Sequence, residues 1–473
     1  MAALRQAPIR LILGAVETTA VRLRRRHGST ANGLMIKTSE YSRRRRLLMQ
    51  QAGDDSILIL PAAPERVRSR DTHFPYRQDS DLLYLTGFAE PESVLVLVPG
   101  RKHGEALLFC RERNAERETW DGARLGPARA PAALGLDDAY DIADIDDILP
   151  GLLEGRSKVY YHFGRDVEFD LKLIGWVNRV RALIRQGARP PHEFLELGHL
   201  LNEQRLFKSR DELKAMQRSA DIAVEGHCQV MRACRPGLHE FSIDAELSYV
   251  FRKHNAQHAY EPIVAAGNNA CVLHYRDNNA PLADGDLLLV DAGAEWQGYA
   301  SDITRTIPIN GRFSSPQRAV YETVLAAQQA AIAAVRPGAH WDAPHHAAVE
   351  VLAEGMLSLG LLKGSLKQVL KKELYKQFYM HRTGHWIGLD VHDVGDYRID
   401  QQPRLLEPGM VLTVEPGLYI EARCKNAPAK YRGIGVRIED DVVVTAEGCQ
   451  VLTDGAPKAV EQIEDWMARA RAA

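Results

Sequence analysis

The stretch VDAGAEWQGYASDITRT, residues 290–306, carries two aspartates on what otherwise has the composition of a β-hairpin. Strand-forming residues lead up to Asp291, and a second strand returns past Asp302 after a turn. With Trp296 and Gln297 as the turn pair, the two acids are equally far from the turn and lie directly opposite each other. Opposed side chains begin about 4.5–5.5 Å apart, where two ionised carboxylates repel. The pairing therefore predicts either a shared proton or a cation held between the two acids.

This prediction depends on the register of the hairpin. A slip of one residue would turn the two acids to opposite faces of the sheet. Trp-Gln is not a favoured turn pair, and Gly298 is a candidate for a β-bulge.

Further acids follow strand-like runs downstream. Glu415 ends the run MVLTV and precedes Pro-Gly, which stops the ladder and leaves the carboxylate at an edge. Arg437 and Glu439 alternate onto one face of GVRIEDDVVVT, and the segment HRTGHWIGLDVHD supplies His385. Four carboxylates with one imidazole and no thiolate suit manganese(II), cobalt(II) or iron(II) better than a structural zinc site. Two such ions about 3.5–4 Å apart would balance the four charges and favour hydrolysis.

The composition excludes several other classes of protein. The 473 residues include 60 Lys and Arg against 62 Asp and Glu, so no net field directs the chain to nucleic acid or anionic lipid. The longest apolar runs, such as SVLVLVPG, have the length of strands and predict no membrane span. The 6 cysteines are scattered without a C-x-x-C pair, which indicates reduced thiols in a reducing compartment. The motifs H-E-x-x-H, G-x-S-x-G and the P-loop are absent from the sequence.

Two regions of different organisation follow one another along the chain. Four strand-length apolar runs, SILIL, DLLYLTGF, SVLVLV and EALLFC, precede helical patterns and predict a small α/β domain that ends near residue 200. In the second region DGDLLLVDAG (284–293) returns as PGMVLTVEPG (408–417), which places Asp291 on Glu415. This repeat predicts two similar α/β halves, each bringing an acid to the end of a strand.

The first residues of the chain are rich in arginine and contain a single acid, Glu17. Such a segment resembles an organelle transit peptide, and the alternative is an extension ahead of a start at Met35. The tract Arg43–Arg46 is expected to form the solvated face of a first helix. The predicted divisions are an extension at 1–34, an N-terminal domain at 35–204, a catalytic domain at 205–455 and a helical tail at 456–473.

Several motifs together resemble aminopeptidase P, the Xaa-Pro aminopeptidase family of the pita-bread metallopeptidases. They are LHYRDN, DAGAEWQGYASDITRT, HRTGHWIGLDVHDVG, LEPGMVLTVEPGLY and YRGIGVRIEDD, together with FPYRQDSDLLYLTGFAEPESVLVLVPG upstream. The resemblance extends from residue 35 to about residue 455. It implies an α/β (α+β) fold, in which a smaller creatinase-like N-terminal α/β domain precedes a C-terminal pita-bread catalytic domain with pseudo-twofold halves.

The resemblance also implies a role for individual residues. The implied ligands of two metal ions are Asp291, Asp302, His385, Glu415 and Glu439, of which Asp302 and Glu439 bridge. Glu415 would also carry a proton from the attacking water to the leaving amine. The implied substrate-side residues are His274, His381 and His392, with Arg437 orienting the groups behind them, Tyr419 lining the pocket and Trp120 overhanging it.

The expected activity is hydrolysis of the N-terminal Xaa-Pro bond of peptides by a metal-bridging hydroxide. The expected cofactors are two divalent ions, manganese(II) first, with cobalt(II), zinc(II) or iron(II) as alternatives. A prolidase-type dipeptidase and a non-catalytic pita-bread binding protein are the alternative functions. The resemblance further implies a homo-oligomer, a dimer or tetramer, because Trp120 comes from a neighbouring subunit in oligomeric members. The expected location is the cytoplasm, or the mitochondrial matrix if the leader is a transit peptide.

Overall fold

The computed structural model describes residues 36–472. The predicted extension at 1–34 lies outside the described residues. The helices are α1 Thr38–Ala52, α2 Ser80–Thr86, α3 Ala115–Asp121, α4 Ala130–Leu134, α5 Ile145–Leu153, α6 Val167–Ala182, α7 Gly198–Leu206, α8 Arg210–Ala233, α9 Glu240–Lys253, α10 Ser315–Ala334, α11 Ala343–Ser358, α12 Leu366–Lys371 and α13 Val460–Ala472. None of these helices is long and apolar enough to cross a bilayer.

The first strands build a sheet in the N-terminal part of the chain. They are β1 Ser56–Pro61, β2 Val67–Ser69, β3 Thr72–His73, β4 Val94–Leu97, β5 Ala106–Cys110, β6 Asp138–Asp141, β7 Lys158–Tyr161 and β8 Glu193–Glu196. Six of them form one mixed sheet in the order β6-β5-β4-β1-β7-β8. Ile57 and Ile59 pack into one core and Leu58 and Leu60 into another, so β1 is buried on both faces. This explains why its sequence is continuously apolar rather than alternating.

One apolar run of this region does not form the predicted element. The apolar run DLLYLTGF forms helix α2 and not a strand. The Asp79 side chain accepts hydrogen bonds from the second and third residues of that helix, which favours a helix start at this point.

The arginine tract lies on helix α1 as predicted, but the prediction of a solvated face is wrong for Arg44 and Arg45. Both are buried, with 0% and 2% of their surface exposed. Arg44 forms an ion pair with Glu212 at 3.2 Å, and Arg45 donates to the Leu85 carbonyl at 2.7 Å. These partners lie far along the chain, so no pattern within the tract reveals them.

The remaining strands belong to the second half of the chain. They are β9 Gln257–His258, β10 Ile263–Ala266, β11 Leu287–Asp291, β12 Ala294–Trp296, β13 Tyr299–Ala300, β14 Thr304–Pro308, β15 Arg398–Ile399, β16 Gln402–Pro403, β17 Val411–Val414, β18 Gly417–Ile420, β19 Ile434–Arg437, β20 Asp440–Val444 and β21 Cys449–Val451. The same nested pairing occurs twice: β11 pairs with β14 around β12 and β13, and β17 pairs with β20 around β18 and β19. The predicted repeat therefore corresponds to two strand units of like construction, as expected for the pseudo-twofold fold.

One hydrophobic core holds these units together. Helices α8 to α11 and α13 contribute buried side chains to the core, and so do strands of both repeats. Helix α8 begins with a capping box in which Ser209 and Glu212 satisfy each other's backbone N–H groups. His227 on this helix is 1% exposed, and its Nε2 lies 2.9 Å from the Ala292 carbonyl, as expected for a core histidine.

Candidate metal centre

The hairpin that carries the first two acids has a different register from the predicted one. Gln297 and Gly298, not Trp296 and Gln297, form the turn, and both have positive φ, 51° and 84°. Consecutive positive φ values are typical of the turns that suit the twist of a two-residue hairpin. Asp291 consequently opposes Thr304, and the predicted direct opposition of the two acids is wrong. Because the partner shifts by two residues, both acids still point to the same side of the sheet.

Tyr260 connects the two acids. Its hydroxyl lies 2.6 Å from Asp291 Oδ1 and 2.5 Å from Asp302 Oδ1. No local pattern selects Tyr260, because it precedes strand β10 in a segment without periodicity. Its position close to both carboxylates is a consequence of tertiary structure alone.

A cavity of about 450 Å³ opens at these acids. It contains nine of the eleven side chains that the sequence and its resemblance singled out: Asp291, Asp302, His385, Glu415, Glu439, His274, His381, His392 and Arg437. The residues come from strands and loops of both repeats. The fold therefore gathers into one cavity groups that are up to 165 positions apart in the sequence, His274 to Glu439.

Three of the predicted ligands converge on a common point. Asp302, His385 and Glu439 each offer a ligand atom, and these atoms lie within 4.8 Å of one another. His385 Nε2 lies 3.5 Å from Asp302 Oδ2 and 3.8 Å from Glu415 Oε1. Such separations are too long for good hydrogen bonds, but ligands about 2.1 Å from one ion lie about 3–4 Å apart. The spacing fits a shared cation.

The orientation of the His385 ring also agrees with a shared cation. Its Nδ1 lies 3.0 Å from the carbonyl of Trp386. A carbonyl only accepts hydrogen bonds, so the proton belongs on Nδ1 and the lone pair of Nε2 faces the carboxylates. A backbone carbonyl behind the ring is the usual arrangement for a histidine that binds a metal through its other nitrogen.

The pKa values of the buried acids also support a cation site. Burial, reinforced by Asp291, raises the pKa of Asp302 well above its usual value, and burial with Asp302 does the same for Glu439. Burial, reinforced by Glu439, raises the pKa of Glu415 to about 8. Carboxyls that crowd each other in a buried cavity ionise together only when positive charge is supplied. The set therefore has the chemistry of a site for divalent cations.

Arg437 supplies part of that positive charge. Its Nη2 lies 2.6 Å from Asp291 Oδ2, and its Nη1 donates to the Tyr419 hydroxyl at 3.1 Å. Its Nε donates to Thr304 Oγ1, which in turn donates to Glu439 Oε2 at 2.7 Å. Thr304 thus connects the arginine to a predicted ligand, and no motif in the sequence marks this threonine.

The predicted substrate-side histidines lie on the other walls of the cavity. His381 Nε2 lies 2.8 Å from the Tyr419 hydroxyl, and burial, with help from Arg437, lowers the pKa of His381 to about 4. The rings of His385 and His392 are 4.4 Å apart, and burial, with His385, lowers the pKa of His392. The rings of His381 and His392 therefore stay neutral near pH 7 and add no charge to the cavity. The N–H of His381 is directed to the Arg382 carbonyl, which lies 2.7 Å from its Nδ1, and its Nε2 accepts from the Tyr419 hydroxyl.

The last predicted residue, Trp120, is not brought to the cavity within this chain. It lies on α3 with 82% of its surface exposed, and the described cavity lining does not include it. The described cavity lining does not include Tyr419 either, but its hydroxyl contacts the lining residues His381 and Arg437.

Comparisons with known proteins agree with this geometry. The profile of metallopeptidase family M24 matches residues 214–446, and that of the aminopeptidase P N-terminal domain matches residues 41–160. The Xaa-Pro aminopeptidase of Escherichia coli is 42% identical over 92% of this chain and 99% of its own length. The chain belongs to metallopeptidase family M24. Within this family it is a member of the aminopeptidase P group.

Solved structures of this group superpose on nearly the whole chain. The Pseudomonas aeruginosa aminopeptidase PepP matches with a TM-score of 0.92 and 56% identity, covering 93% of this chain and 99% of its own. A glutamate-to-alanine variant of E. coli aminopeptidase P in complex with substrate matches with a TM-score of 0.90 and 41% identity, covering 93% of this chain and 100% of its own. The pita-bread fold of this M24 member, with its aminopeptidase P N-terminal domain, is thereby established.

Proposed function

We propose that this M24 member is an Xaa-Pro aminopeptidase, which hydrolyses the peptide bond between an N-terminal residue and a proline at the second position. The observation that carries the proposal is the convergence of Asp302, His385 and Glu439 in one cavity. The relatives named Xaa-Pro aminopeptidase cover the chain almost end to end, which supports a peptide substrate.

Asp291, Asp302, His385, Glu415 and Glu439 would hold two divalent ions, with manganese(II) as the native metal. When bound, these ions would supply Lewis-acid polarisation of the scissile carbonyl and activation of water. The oxygen-rich donor set supports manganese(II) over zinc(II).

The side chains around the acids would supply the other catalytic functions. Glu415, on the cavity wall, would carry the proton from water to the leaving amine. His274, His381 and His392, on the substrate side of the cavity, would steady the scissile carbonyl group as negative charge develops on its oxygen. Arg437, which forms an ion pair with Asp291, would keep that carboxylate oriented.

The substrates would be small peptides in the cytoplasm. The exposed position of Trp120, away from the cavity of its own chain, supports a homo-oligomer, dimer or tetramer, in which this ring reaches the cavity of a neighbouring subunit.

A comparison of peptide lengths tests the proposed specificity. We expect cleavage of Xaa-Pro-Yaa-Yaa peptides with release of the free N-terminal amino acid, measured by mass spectrometry. Activity confined to Xaa-Pro dipeptides would instead identify a prolidase-type dipeptidase.

Metal removal tests whether the chain is an enzyme at all. After dialysis against a chelator, activity on the same peptides should disappear and return with manganese(II) more fully than with cobalt(II), zinc(II) or iron(II). A protein that is inert before and after the addition of each ion would be a binding protein.

A further inference from the structure

Glu240 is a fully buried carboxylate that the proposed mechanism does not use. It lies in the first turn of α9 and has 0% of its surface exposed. Its Oε1 accepts hydrogen bonds from the Ala266 N–H at 2.7 Å and Asn269 Nδ2 at 3.1 Å. Its Oε2 accepts from the Tyr275 hydroxyl at 2.9 Å and the Ala280 N–H at 2.7 Å. All four donors are neutral, so the carboxylate is held by hydrogen bonds and not by an opposite charge.

The four donors lie between Ala266, the last residue of β10, and Ala280, on the connection that leads to β11. Leu273, His274 and Arg276 of this connection line the cavity. Residues 272–280 form neither helix nor strand, and the backbone hydrogen bonds described for this range lie only at its two ends, Val272 and Ala280. The position of His274 must therefore come from the anchors on either side of it.

Capping of the helix does not explain Glu240. A side chain at a helix start usually accepts from the free N–H groups of that helix. None of the four bonds of Glu240 goes to α9. Its oxygens instead accept hydrogen bonds from two residues before His274 and two residues after it. One of these four donors is Tyr275, the residue next to His274.

We propose that Glu240 is a positioning residue, which holds His274 in the cavity wall through Tyr275 and the flanking backbone. This inference rests on the proposed function for the role of His274 in the reaction. Its physical basis is that an ionised carboxylate offers acceptors at both oxygens, which no other side chain of this size does. The four bonds also satisfy a charge that would otherwise be costly to bury.

Glu240→Gln tests the inference because it keeps the shape and places an NH₂ group against two donors. Amide exchange of residues 267–280, followed by mass spectrometry, should become about tenfold faster, the factor that corresponds to the loss of one hydrogen bond. We expect kcat to fall about 10- to 100-fold, as for other small displacements of catalytic groups. KM and the amount of bound manganese should not change. Wild-type exchange rates with wild-type kcat would overturn the inference.

A double-mutant cycle shows whether the effect passes through His274. If it does, Glu240→Gln combined with His274→Ala should have the kcat of His274→Ala alone, within about twofold. A double variant whose kcat is reduced by the product of the two single-variant factors would overturn the inference.

Glu212→Gln is the matched control. Glu212 is also a buried carboxylate in the first turn of a long helix and accepts from the hydroxyl of Tyr299 at 3.1 Å, but it does not contact the connection. This variant should leave kcat and the exchange of residues 267–280 unchanged. If Glu240→Gln does not fold, Tyr275→Phe removes one of the four bonds, and it should give faster exchange in the same residues with a smaller loss of kcat. No change in either quantity would overturn the inference.

The two readouts separate failure of this inference from failure of the proposed function. A wild-type protein that does not cleave Xaa-Pro peptides would refute the function, while the exchange measurement would still decide whether Glu240 holds the connection. An active wild-type protein with an unaffected Glu240→Gln variant would refute only the role of Glu240.

Discussion

At the scale of single residues, the cavity depends on a few side chains that each have two partners. Thr304 accepts from Arg437 and donates to Glu439, and Tyr260 lies between Asp291 and Asp302. Such residues fix the relative positions of charged groups that would otherwise repel or separate. Single substitutions at this level should therefore divide into those that lose metal and those that lose only turnover.

The proposed ligands and the proposed substrate-side histidines should separate in this way. Asp302→Ala or Glu439→Ala should abolish activity and reduce bound metal, because each is proposed to contact both ions. His392→Ala should lower kcat about 100-fold, the usual effect of a lost hydrogen-bond donor to the transition state, with nearly full metal content. The metal content of each purified variant and its kcat on one peptide check both predictions. Parallel loss of metal in His392→Ala would contradict its proposed role.

A pair of buried threonines on one strand tests the connection through Thr304. Thr304→Val should cost about 1–3 kcal/mol in stability, because buried polar groups lose a partner, and should also lower kcat. Thr306 is the control, since it is equally buried and bonds only the backbone of Arg437. Thr306→Val should give a similar loss of stability, measured by urea unfolding, with kcat close to wild type. Equal loss of kcat in both variants would show that Thr304 acts only through the strand.

At the scale of elements, turns and helix contacts decided what the sequence pattern left open. The alternation of residues 290–306 predicted a hairpin correctly, but the choice of turn residues set the register. Gly298 has a φ of 84°, and an added Cβ would lie 2.5 Å from Leu83 Cδ2 on helix α2. The turn therefore packs against the N-terminal part of the chain, which no local pattern reveals.

Two glycine substitutions measure that packing. Gly285→Ala places an alanine at a φ of 87° with nothing within 4 Å, so it should cost about 1–2 kcal/mol from backbone strain alone. Gly298→Ala adds a clash with Leu83 and should cost about 1–3 kcal/mol more. Urea midpoints of the two variants give the difference. Equal urea midpoints would mean that the turn can move away from α2 without loss of stability.

At the scale of the whole molecule, a buried network of charges joins the N-terminal sheet region to the loop that carries His392. Arg205 Nη1 lies 2.7 Å from Asp81 Oδ1 on α2, and its Nη2 lies 2.5 Å from Asp393 Oδ1. Lys208 Nζ lies 2.9 Å from Asp393 Oδ2. All four side chains are buried, so removal of one partner would leave an unpaired charge in the interior.

This network predicts a particular dependence of stability on pH. Although burial alone would raise it, Arg205 and His162 hold the pKa of Asp81 well below its usual value. A lowered pKa contributes stability above the pKa of the unfolded chain, about 4, and that stability is lost as the pH falls towards the folded value. Asp81→Asn should therefore be several kcal/mol less stable than wild type at pH 7, about 3–5 for a broken buried pair.

The difference between the two proteins should narrow as the pH falls below about 4, because the wild type alone loses this contribution. Urea midpoints at pH 7, 5 and 3 check the trend. A gap that stays constant over this range would mean that Asp81 titrates alike in the folded and unfolded chain.

The predicted domain limits at 35–204, 205–455 and 456–473 stay predictions. The helix at the predicted tail, α13, buries Val460, Ile463 and Met467 in the same core as the strands of both repeats. A shortened chain that lacks it would expose this part of the core.

The sequence by itself determined which residues we propose to supply the chemistry. The acids stand at the ends of apolar runs, and this is visible locally because strand alternation and Pro-Gly stops are properties of short segments. The tertiary structure alone decided the register of Asp291 and the burial of Arg44 and Arg45. It also decided the contacts of Tyr260, Thr304 and Glu240. Each of these depends on a partner that is distant in the chain, and the energy of a buried polar group is set by the partner that it meets after folding.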